Sequence, residues 1–252
     1  DLDAFRALID EAHARGIRVV LDAVLNHCGD GHWAFQDVVR HEAGSPHVNW
    51  FSVEGFPVRV EPDRPNYRTC SGCWYLPKWN AYNPEVRAHH FDVARYWIDQ
   101  GIDGWRLDVP YFINSSFWRE FHRVVKERDD DLYIVAEEWR EPEQWLTGDL
   151  ADGTMNYTLR DLILGFTADR SIDAFTFAEG MNRLRARIPE GYHRGMLNLL
   201  GSHDTERLLT RHAGDETATL GALSLLFSAE GAPVLYYGDE IGMRGQNDPG
   251  CR

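Results

Sequence analysis

Apolar residues along this chain recur in two alternating rhythms. Leu2, Phe5, Leu8, Ile9 and Ala12 are spaced as one helix face, and Gly16 supplies the stop. Ile17 to Leu25 then runs as an aliphatic, β-branched stretch that reads as a buried strand. Asn83 as N-cap, Pro84 at the first helical position and Glu85 behind it open another helix. Its apolar face passes through Val86, Val93, Trp97 and Ile98 to a stop at Gly101. Further strands are expected over Ile102–Val109, Leu132–Glu137, Thr154–Tyr157, Met196–Leu200 and Ala232–Tyr237. Between them lie a helix capped by Ser115 or Ser116, with Phe117, Phe121, Val124 and Val125 inward, more helix after Tyr157, and a helix near Glu216 to Ala229. This alternation implies an α/β fold with a parallel sheet and helical crossovers.

Between Cys28 and Asn80 the periodicity fails, in a stretch rich in Pro, Gly, His and aromatics that includes Trp33, Trp50, Phe51, Tyr67, Trp74 and Trp79. An ordinary loop is far shorter, so residues 28–80 are expected to form an irregular inserted subdomain after the first strand, within one catalytic domain spanning 1–252. The chain of 252 residues has the length of a (β/α)8 barrel of the TIM type. Six strands cannot close such a barrel. The expectation is therefore an incomplete barrel of about six βα units that lacks the first two. It would begin at the helix after the second strand of a longer parent, in keeping with a start at Asp1 with no initiator Met.

Composition narrows the partners. The formal net charge of −14 argues against nucleic acid and anionic membranes, and no apolar run approaches the ~20 residues of a membrane helix. A neutral polyol is compatible with that charge. Four cysteines are too few for a disulfide scaffold at this length. Cys70-Ser-Gly-Cys73, with Cys28 and His32 in the same region, leaves a structural metal site or a local disulfide open, but a lone CxxC favours reduced thiols. No metal or cofactor is expected from these residues.

Chemistry concentrates at the carboxyl ends of the strands, where parallel barrels place their active sites. The first strand ends in Asp22-Ala-Val-Leu-Asn26-His27, and the second runs Gly104-Trp-Arg106-Leu-Asp108. The third ends at Glu137-Glu138-Trp139, and the fifth leads through Ser202 into His203-Asp204. A carboxylate at the end of one apolar strand would be unremarkable. At the ends of four, each costs desolvation energy unless paired or used in chemistry.

At these residues the chain resembles the α-amylase family, glycoside hydrolase family 13. Its four signatures stand in family order: DAVLNH at 22–27, GWRLDV at 104–109, AEEW at 136–139 and SHD at 202–204. LPKWN at 76–80 is similar to the MPKLN signature of the neopullulanase, cyclomaltodextrinase and maltogenic amylase group, and MNY at 155–157 and GAPVLYYGDEIGM at 231–243 match that group's habits. The resemblance implies a retaining hydrolase of α-1,4 and, in some members, α-1,6 glucosidic bonds in maltooligosaccharides, cyclodextrins, pullulan or starch, with transglycosylation as a side activity. It implies Asp108 as nucleophile, Glu137 as general acid and base, and Asp204 as the carboxylate that holds sugar hydroxyls. His27 and His203 would bind the same ring, and Lys78 and Trp79 would line the cleft. Arg106 would keep Asp108 ionised, with Asp22 and Asn26 bracing the site and Asp22 beside Arg106. The motif spacing, not composition, selects Glu137 over Glu138.

Val109-Pro110-Tyr111-Phe112 stands where classical α-amylases carry a Lys-His pair, so their calcium site is not expected here. Trp79 replaces the usual Leu of its signature and is expected to reshape the sugar cleft. The resemblance also implies a cytoplasmic enzyme, with sparse cysteines in support, and a homodimeric parent. An α-glucan isomerase or transferase, or a glucan-binding relative without catalysis, are alternatives within the family. A metal-dependent hydrolase using His27, His203, Asp22 and Asp204 as ligands lacks the closely spaced His pair such sites show.

Overall fold

Five of the six expected strands lie inside their apolar runs, each trimmed at both ends or one, and the sixth begins a residue early. The computed structural model describes residues 1–252. Contacts divide them into two units, Asp1–Ile134 and Val135–Arg252, a border that falls within a strand and not at the ends of the 28–80 segment.

In the first unit, α1 (Leu2–Ala14) is capped by Asp1, whose carboxylate accepts from the Ala4 N–H at 2.8 Å. It ends before Gly16, which takes the left-handed conformation at φ 71°. Ile9 is its buried residue, and Phe5 meets Trp97 edge-on at 5.3 Å. β1 (Val20–Ala23) follows.

The segment expected to be irregular contains α2 (Trp33–His41) and a hairpin of β2 (Thr69–Cys70) and β3 (Cys73–Pro77). The cap of α2 hid it from the sequence pattern. His32 fills that position, its Nδ1 accepting from the Ala34 N–H at 3.2 Å, in place of the Ser, Thr, Asp or Asn that marks most helix starts. Ser71 (φ 50°) and Gly72 (φ 80°) turn the hairpin with two left-handed residues, the backbone a type I′ turn requires. The inward face of α2 presents Ala34, Phe35 and Val38 to Phe51, Tyr67, Trp79 and Val86.

α3 (Pro84–Asp99) starts where expected, with the Asn83 side chain accepting from the Glu85 N–H at 2.8 Å. β4 (Gly104–Leu107) pairs parallel to β1, Val20 opposite Gly104 and Asp22 opposite Arg106. α4 (Ser115–Lys126) is capped by Asn114 and not by either serine. The Asn114 side-chain Oδ1 accepts from the Phe117 N–H at 3.0 Å, and Ser115 and Ser116 are the first helical residues. Phe117, Trp118, Phe121, Val124 and Val125 form its buried stripe.

β5 (Tyr133–Ala136) carries the chain into the second unit. There, Val135 and Ala136 pair parallel with β6 (Gly153–Thr154), Met155 bridges to Leu197, and β7 (Leu197–Leu199) pairs parallel with β8 (Ala232–Val234). The helices are α5 (Tyr157–Thr167), α6 (Ala174–Arg187), the short α7 (Leu208–Arg211) and α8 (Glu216–Ser228). Leu159, Ile163, Leu184, Met196 and Leu226 make the centre of this unit's core. No helix of the chain is long and apolar enough to cross a membrane.

Gly104 opens β4 because nothing larger fits: a Cβ there would stand 2.2 Å from the Tyr133 carbonyl oxygen. Gly104→Ala should therefore cost about 3 kcal/mol, lowering the thermal midpoint by about 6 °C or more. Gly29→Ala, with nothing within 4 Å of the added carbon, is the control and should leave the midpoint unchanged. Equal midpoints for both variants would show that the strand start relaxes freely.

Candidate active site

Arg106 is the hub of the first unit's polar cluster. The β1–β4 register sets it opposite Asp22, and the alternation of side chains along an extended chain puts Asp108, two residues on, on the same face. Its Nη1 donates to Asp22 at 2.8 and 3.0 Å and to Asp108 Oδ1 at 2.6 Å. The Asp108 side chain is 17% exposed and that of Arg106 12%, against 47% for Asp22. The pair is thus a largely desolvated one, with Asp22 its wetter flank. The Arg106 guanidinium supplies the counter-charge that offsets this loss of water.

His27 Nε2 lies 4.0 Å from Asp108 Oδ2, too long for a hydrogen bond. Burial holds the His27 imidazole below its usual value, although Asp108 and Asp22 pull it up. It is therefore neutral near pH 7. Asn26 Nδ2 sits 3.2 Å from His27 Nδ1. An amide nitrogen only donates, so this contact leaves the ring hydrogen on Nε2, the atom nearest Asp108. Asn26 itself is 1% exposed, which suits a brace.

The chain after β1 pairs back onto the hairpin's exit. His27 bridges antiparallel to Lys78, and Trp79 N–H donates to the Asn26 carbonyl at 3.0 Å. Lys78 and Trp79 point to opposite faces of this extended run, as alternation demands. The Lys78 ammonium reaches the Phe112 carbonyl at 3.1 Å and lies 5.3 Å from the Phe112 ring, in the loop that leaves Asp108. Trp79 goes the other way. It is 5% exposed, stacked on Phe51 at 4.6 Å and met edge-on by His32 and His90. The expectation that Trp79 lines a sugar cleft is corrected: its bulk fills the core beneath the 28–80 segment. Trp50 belongs to the same core and donates to Glu85 at 2.9 Å.

In the second unit, β5 is followed by two adjacent acids with unlike surroundings. Glu138 accepts from the Arg140 and Glu141 N–H groups at 2.8 and 3.2 Å, from Gln144 at 2.7 Å and from Trp145 Nε1 at 2.8 Å. Burial pushes the Glu138 carboxyl up, but those four bonds outweigh it and hold the group below the usual range. Glu138 is a structural carboxylate whose acceptor sites are taken. Glu137, 4% exposed, accepts from Trp139 Nε1 at 3.0 Å. Trp139 stacks on Tyr157 with centroids 3.6 Å apart and planes 14° from parallel.

Tyr157 in turn lies 3.1 Å from Ser202 Oγ, which accepts from the Asp204 N–H at 3.3 Å. Asp204 pairs with its neighbour His203 at 3.2 Å, both about one third exposed. The sequence motifs AEEW, MNY and SHD therefore meet through one aromatic stack. Tyr157 had only a place in a motif and no assigned role. Its signal in the sequence was weak: a tyrosine at the first position of a helix reads as core.

Arg207 was likewise unassigned. It is 1% exposed, pairs with Asp239 at 3.5 Å, donates to the Tyr237 carbonyl, and lies over the Tyr236 and Tyr237 rings at 4.2 and 4.6 Å. It ties the SHDTER segment to YYGDE. All four cysteines are free. Cys70 and Cys73 are register partners across the hairpin, the Cys28 thiol is pushed up to about 12 chiefly by burial, and Cys251 donates to the His203 carbonyl at 2.9 Å.

Residues 1–249 match the family described as alpha amylase, catalytic domain. The chain is 47% identical over 253 residues to Neopullulanase 2 of Thermoactinomyces vulgaris, a match covering all of this chain and 43% of that protein. It is 45% identical over 255 residues to a Cyclomaltodextrinase of Geobacillus thermopakistaniensis strain MAS1, again covering 43% of it. Among solved structures, the cyclic alpha-maltosyl-(1→6)-maltose hydrolase from Arthrobacter globiformis, in complex with cyclic alpha-maltosyl-(1→6)-maltose, superposes with a TM-score of 0.98 at 74% identity. That match covers 100% of this chain and 57% of the other. The chain thus spans about half the length of these relatives, and its α/β architecture is part of their (β/α)8-type catalytic fold.

Removing the charge of Glu138 should be felt as stability. Its folded value lies below the ordinary 4.5, so its contribution is complete above that pH and lost as pH falls through the lower folded value. Glu138→Gln should cost about 2–4 kcal/mol at pH 7, because it turns an acceptor of four bonds into a partial donor. In denaturant melts the gap to the unsubstituted protein should shrink as pH drops below 4.5. A gap that stays constant down to pH ~3 would contradict this account.

Proposed function

We propose that this chain, which belongs to the α-amylase family of glycoside hydrolases, supplies the catalytic residues of a retaining enzyme that hydrolyses α-glucosidic bonds. The observation that carries the reading is the 2.6 Å contact of Arg106 with the desolvated Asp108 at the ends of paired parallel strands.

In this reading Asp108 attacks the anomeric carbon as Glu137 gives its proton to the departing glycosidic oxygen, and the carbon–oxygen bond breaks. A β-linked glucosyl ester on Asp108 results. Glu137, now a carboxylate, takes a proton from water, and that water displaces Asp108 with a second inversion. Such a double displacement needs the two carboxyl groups ~5–5.5 Å apart on opposite sides of the bond. Arg106 supports the ionised nucleophile before attack and the carboxylate that leaves at the end. Neutral His27 offers its Nε2–H to a sugar hydroxyl without adding a charge beside the developing oxocarbenium ion. Asp204 and His203 hold further hydroxyls of the same ring.

For the substrate we place cyclic α-maltosyl-(1→6)-maltose first. The hydrolase of that name is 74% identical over this chain, whereas the neopullulanase and cyclomaltodextrinase relatives stand at 47% and 45%. Cyclodextrins, pullulan and starch come after it. A cytoplasmic setting accompanies this reading, with the free thiols in support.

The test uses the full-length parent protein on cyclic α-maltosyl-(1→6)-maltose, β-cyclodextrin, pullulan and soluble starch. Turnover should be highest on the first, and Asp108→Asn should lower it by at least about 10³-fold. Hydrolysis untouched by Asp108→Asn would overturn the reading. Preference for β-cyclodextrin or starch, lost in the variant, would keep the mechanism and replace the substrate.

A further inference from the structure

The core that joins the 28–80 segment to α3 is built from histidines set among tryptophans. His32, at the start of α2, meets Trp79 edge-on at 5.0 Å and lies 6.3 Å from His89 on α3. His89 is 5.3 Å from Trp50 and 5.9 Å from its neighbour His90. His90 closes the cluster on Trp79 at 5.3 Å. Each imidazole therefore has a second one about 6 Å away, centre to centre.

Two of the three are placed so that the neutral ring fits and the charged one does not. His32 caps α2 through Nδ1, which accepts from the Ala34 N–H. A proton on that atom turns the acceptor into a donor and removes the cap. His90 is 3% exposed, and its Nδ1 is buried with no hydrogen-bond partner. An imidazolium donates from both nitrogens, so a charged His90 carries a buried N–H with nothing to receive it. Half-buried His89 lies between them, and any charge on it faces theirs.

Burial holds all three rings below the usual histidine value, His90 down to about 3. The charges around the cluster do little to reverse this. Asp92 pulls His89 up by less than burial pushes it down. Asp37 is engaged by Ser45, His41 and His47, Glu85 by Trp50, and Arg87 by Glu120. Tryptophan faces favour a single cation. A second and a third, so close to the first, repel it where little water screens them.

We propose that this cluster is an acid-sensitive latch, whose histidines take up protons together as the pH falls and release the 28–80 segment from α3. The sign follows from folded ring values that lie below the ordinary 6.5. Below that pH the opened segment binds protons that the packed one refuses, so packing weakens toward the lower folded values. Each refused proton shifts the opening equilibrium about tenfold per pH unit, and three shift it about 10³-fold. Trp79 carries the change to the first unit's polar cluster. It follows Lys78, and its N–H holds the Asn26 carbonyl beside His27. Acid therefore disarms substrate binding without titrating Asp108. That last consequence rests on the proposed catalytic role of Asp108 and His27; the opening itself does not.

The test takes the full-length parent from about pH 7.5 to about pH 4 and back. Hydrolysis, tryptophan fluorescence and hydrogen exchange by mass spectrometry, corrected for intrinsic rates, are followed together. A reversible transition is expected in which peptides from residues 28–80 lose protection before β4 does. The slope of the logarithm of the opening constant against pH should give an uptake of about three protons. His32→Asn keeps a helix cap without a titrating ring, and His89→Gln keeps a polar side chain of similar size. Together they should lower the midpoint by at least about 0.5 pH unit and cut the uptake to about one proton. Hydrolysis at neutral pH should stay within about 2-fold of the unsubstituted protein.

If the double variant does not fold, His89→Gln alone is read, and its uptake should fall to about two protons. An unchanged midpoint and proton count in the folded variants would overturn the latch. So would loss of protection in β4 in step with residues 28–80, because unfolding of the whole unit needs no such cluster. In Asp108→Asn the exchange transition should persist while hydrolysis is lost. Hydrolysis surviving in that variant, with the transition intact, refutes the catalytic reading and leaves the latch standing.

Discussion

Everything in the first unit's polar cluster depends on one cation, Arg106. Withdrawing a carboxylate such as Asp108 from water costs several kcal/mol unless a counter-charge goes with it. The counter-charge here comes from the same strand, two residues back, and is shared with Asp22 on the neighbouring strand. That sharing makes strand register a chemical variable. Asp22 stands opposite Arg106 only in the observed pairing. A one-residue slip would turn Asp22 to the other face, leaving Arg106 and Asp108 without their wetter flank. Leu21 and Ala23, its partners on the opposite face, are partly or fully buried. The apolar core and the ionic site therefore enforce the same register.

Glu137 and Glu138 show how one unit assigns opposite tasks to identical neighbours. Successive residues at a strand's end face opposite ways. Glu138 turns into a nest of two backbone N–H groups, an amide and an indole, and is spent in bracing the loop. That loop then returns Trp139 to Glu137. The acid least available for chemistry thus determines how the other is presented, a dependence invisible in a list of motifs.

Much of this was legible in advance, for identifiable reasons. Strands such as Ile102–Val109 announce themselves because buried parallel strands are apolar on both faces, and the Asn83-Pro84-Glu85 start is a strong helix signal. Asp22 beside Arg106 is what the family resemblance implies, and the strand register places it there. What escaped notice lacked local signals. α2 begins on a histidine cap, and Asn114 outcompetes the two serines after it because its side-chain Oδ1 reaches the Phe117 N–H. Trp79 is expected among the sugar-facing residues because it is an aromatic in the LPKWN signature, where Leu is usual. Alternation sends Lys78 and Trp79 to opposite faces, and only the packing of Phe51 shows which face is inside. The Trp139–Tyr157 stack joins residues that no periodicity relates.

The loop after Asp108 joins the paired strands to the hairpin's exit. Val109 sits at φ 36° and ψ 50°, in the left-handed region, where a β-branched side chain costs about 1–3 kcal/mol. Pro110 restricts it further. The surroundings offset that cost with specific bonds: Trp118 Nε1 donates to the Pro110 carbonyl at 2.8 Å, and Lys78 to the Phe112 carbonyl at 3.1 Å. Lys78 is itself placed by its bridge to His27, which follows β1. The restraints therefore form a closed circuit: β1 to His27, His27 to Lys78, Lys78 to the Phe112 loop, that loop back to Asp108, and Asp108 through Arg106 to Asp22 on β1. The Arg106 bonds in it are charge-assisted and strong, and the remaining contacts are individually modest. Because the circuit closes, Asp108 cannot shift without moving either a paired strand or a strained turn. A residue that must attack one carbon along one line needs that rigidity more than any one of the bonds that supply it.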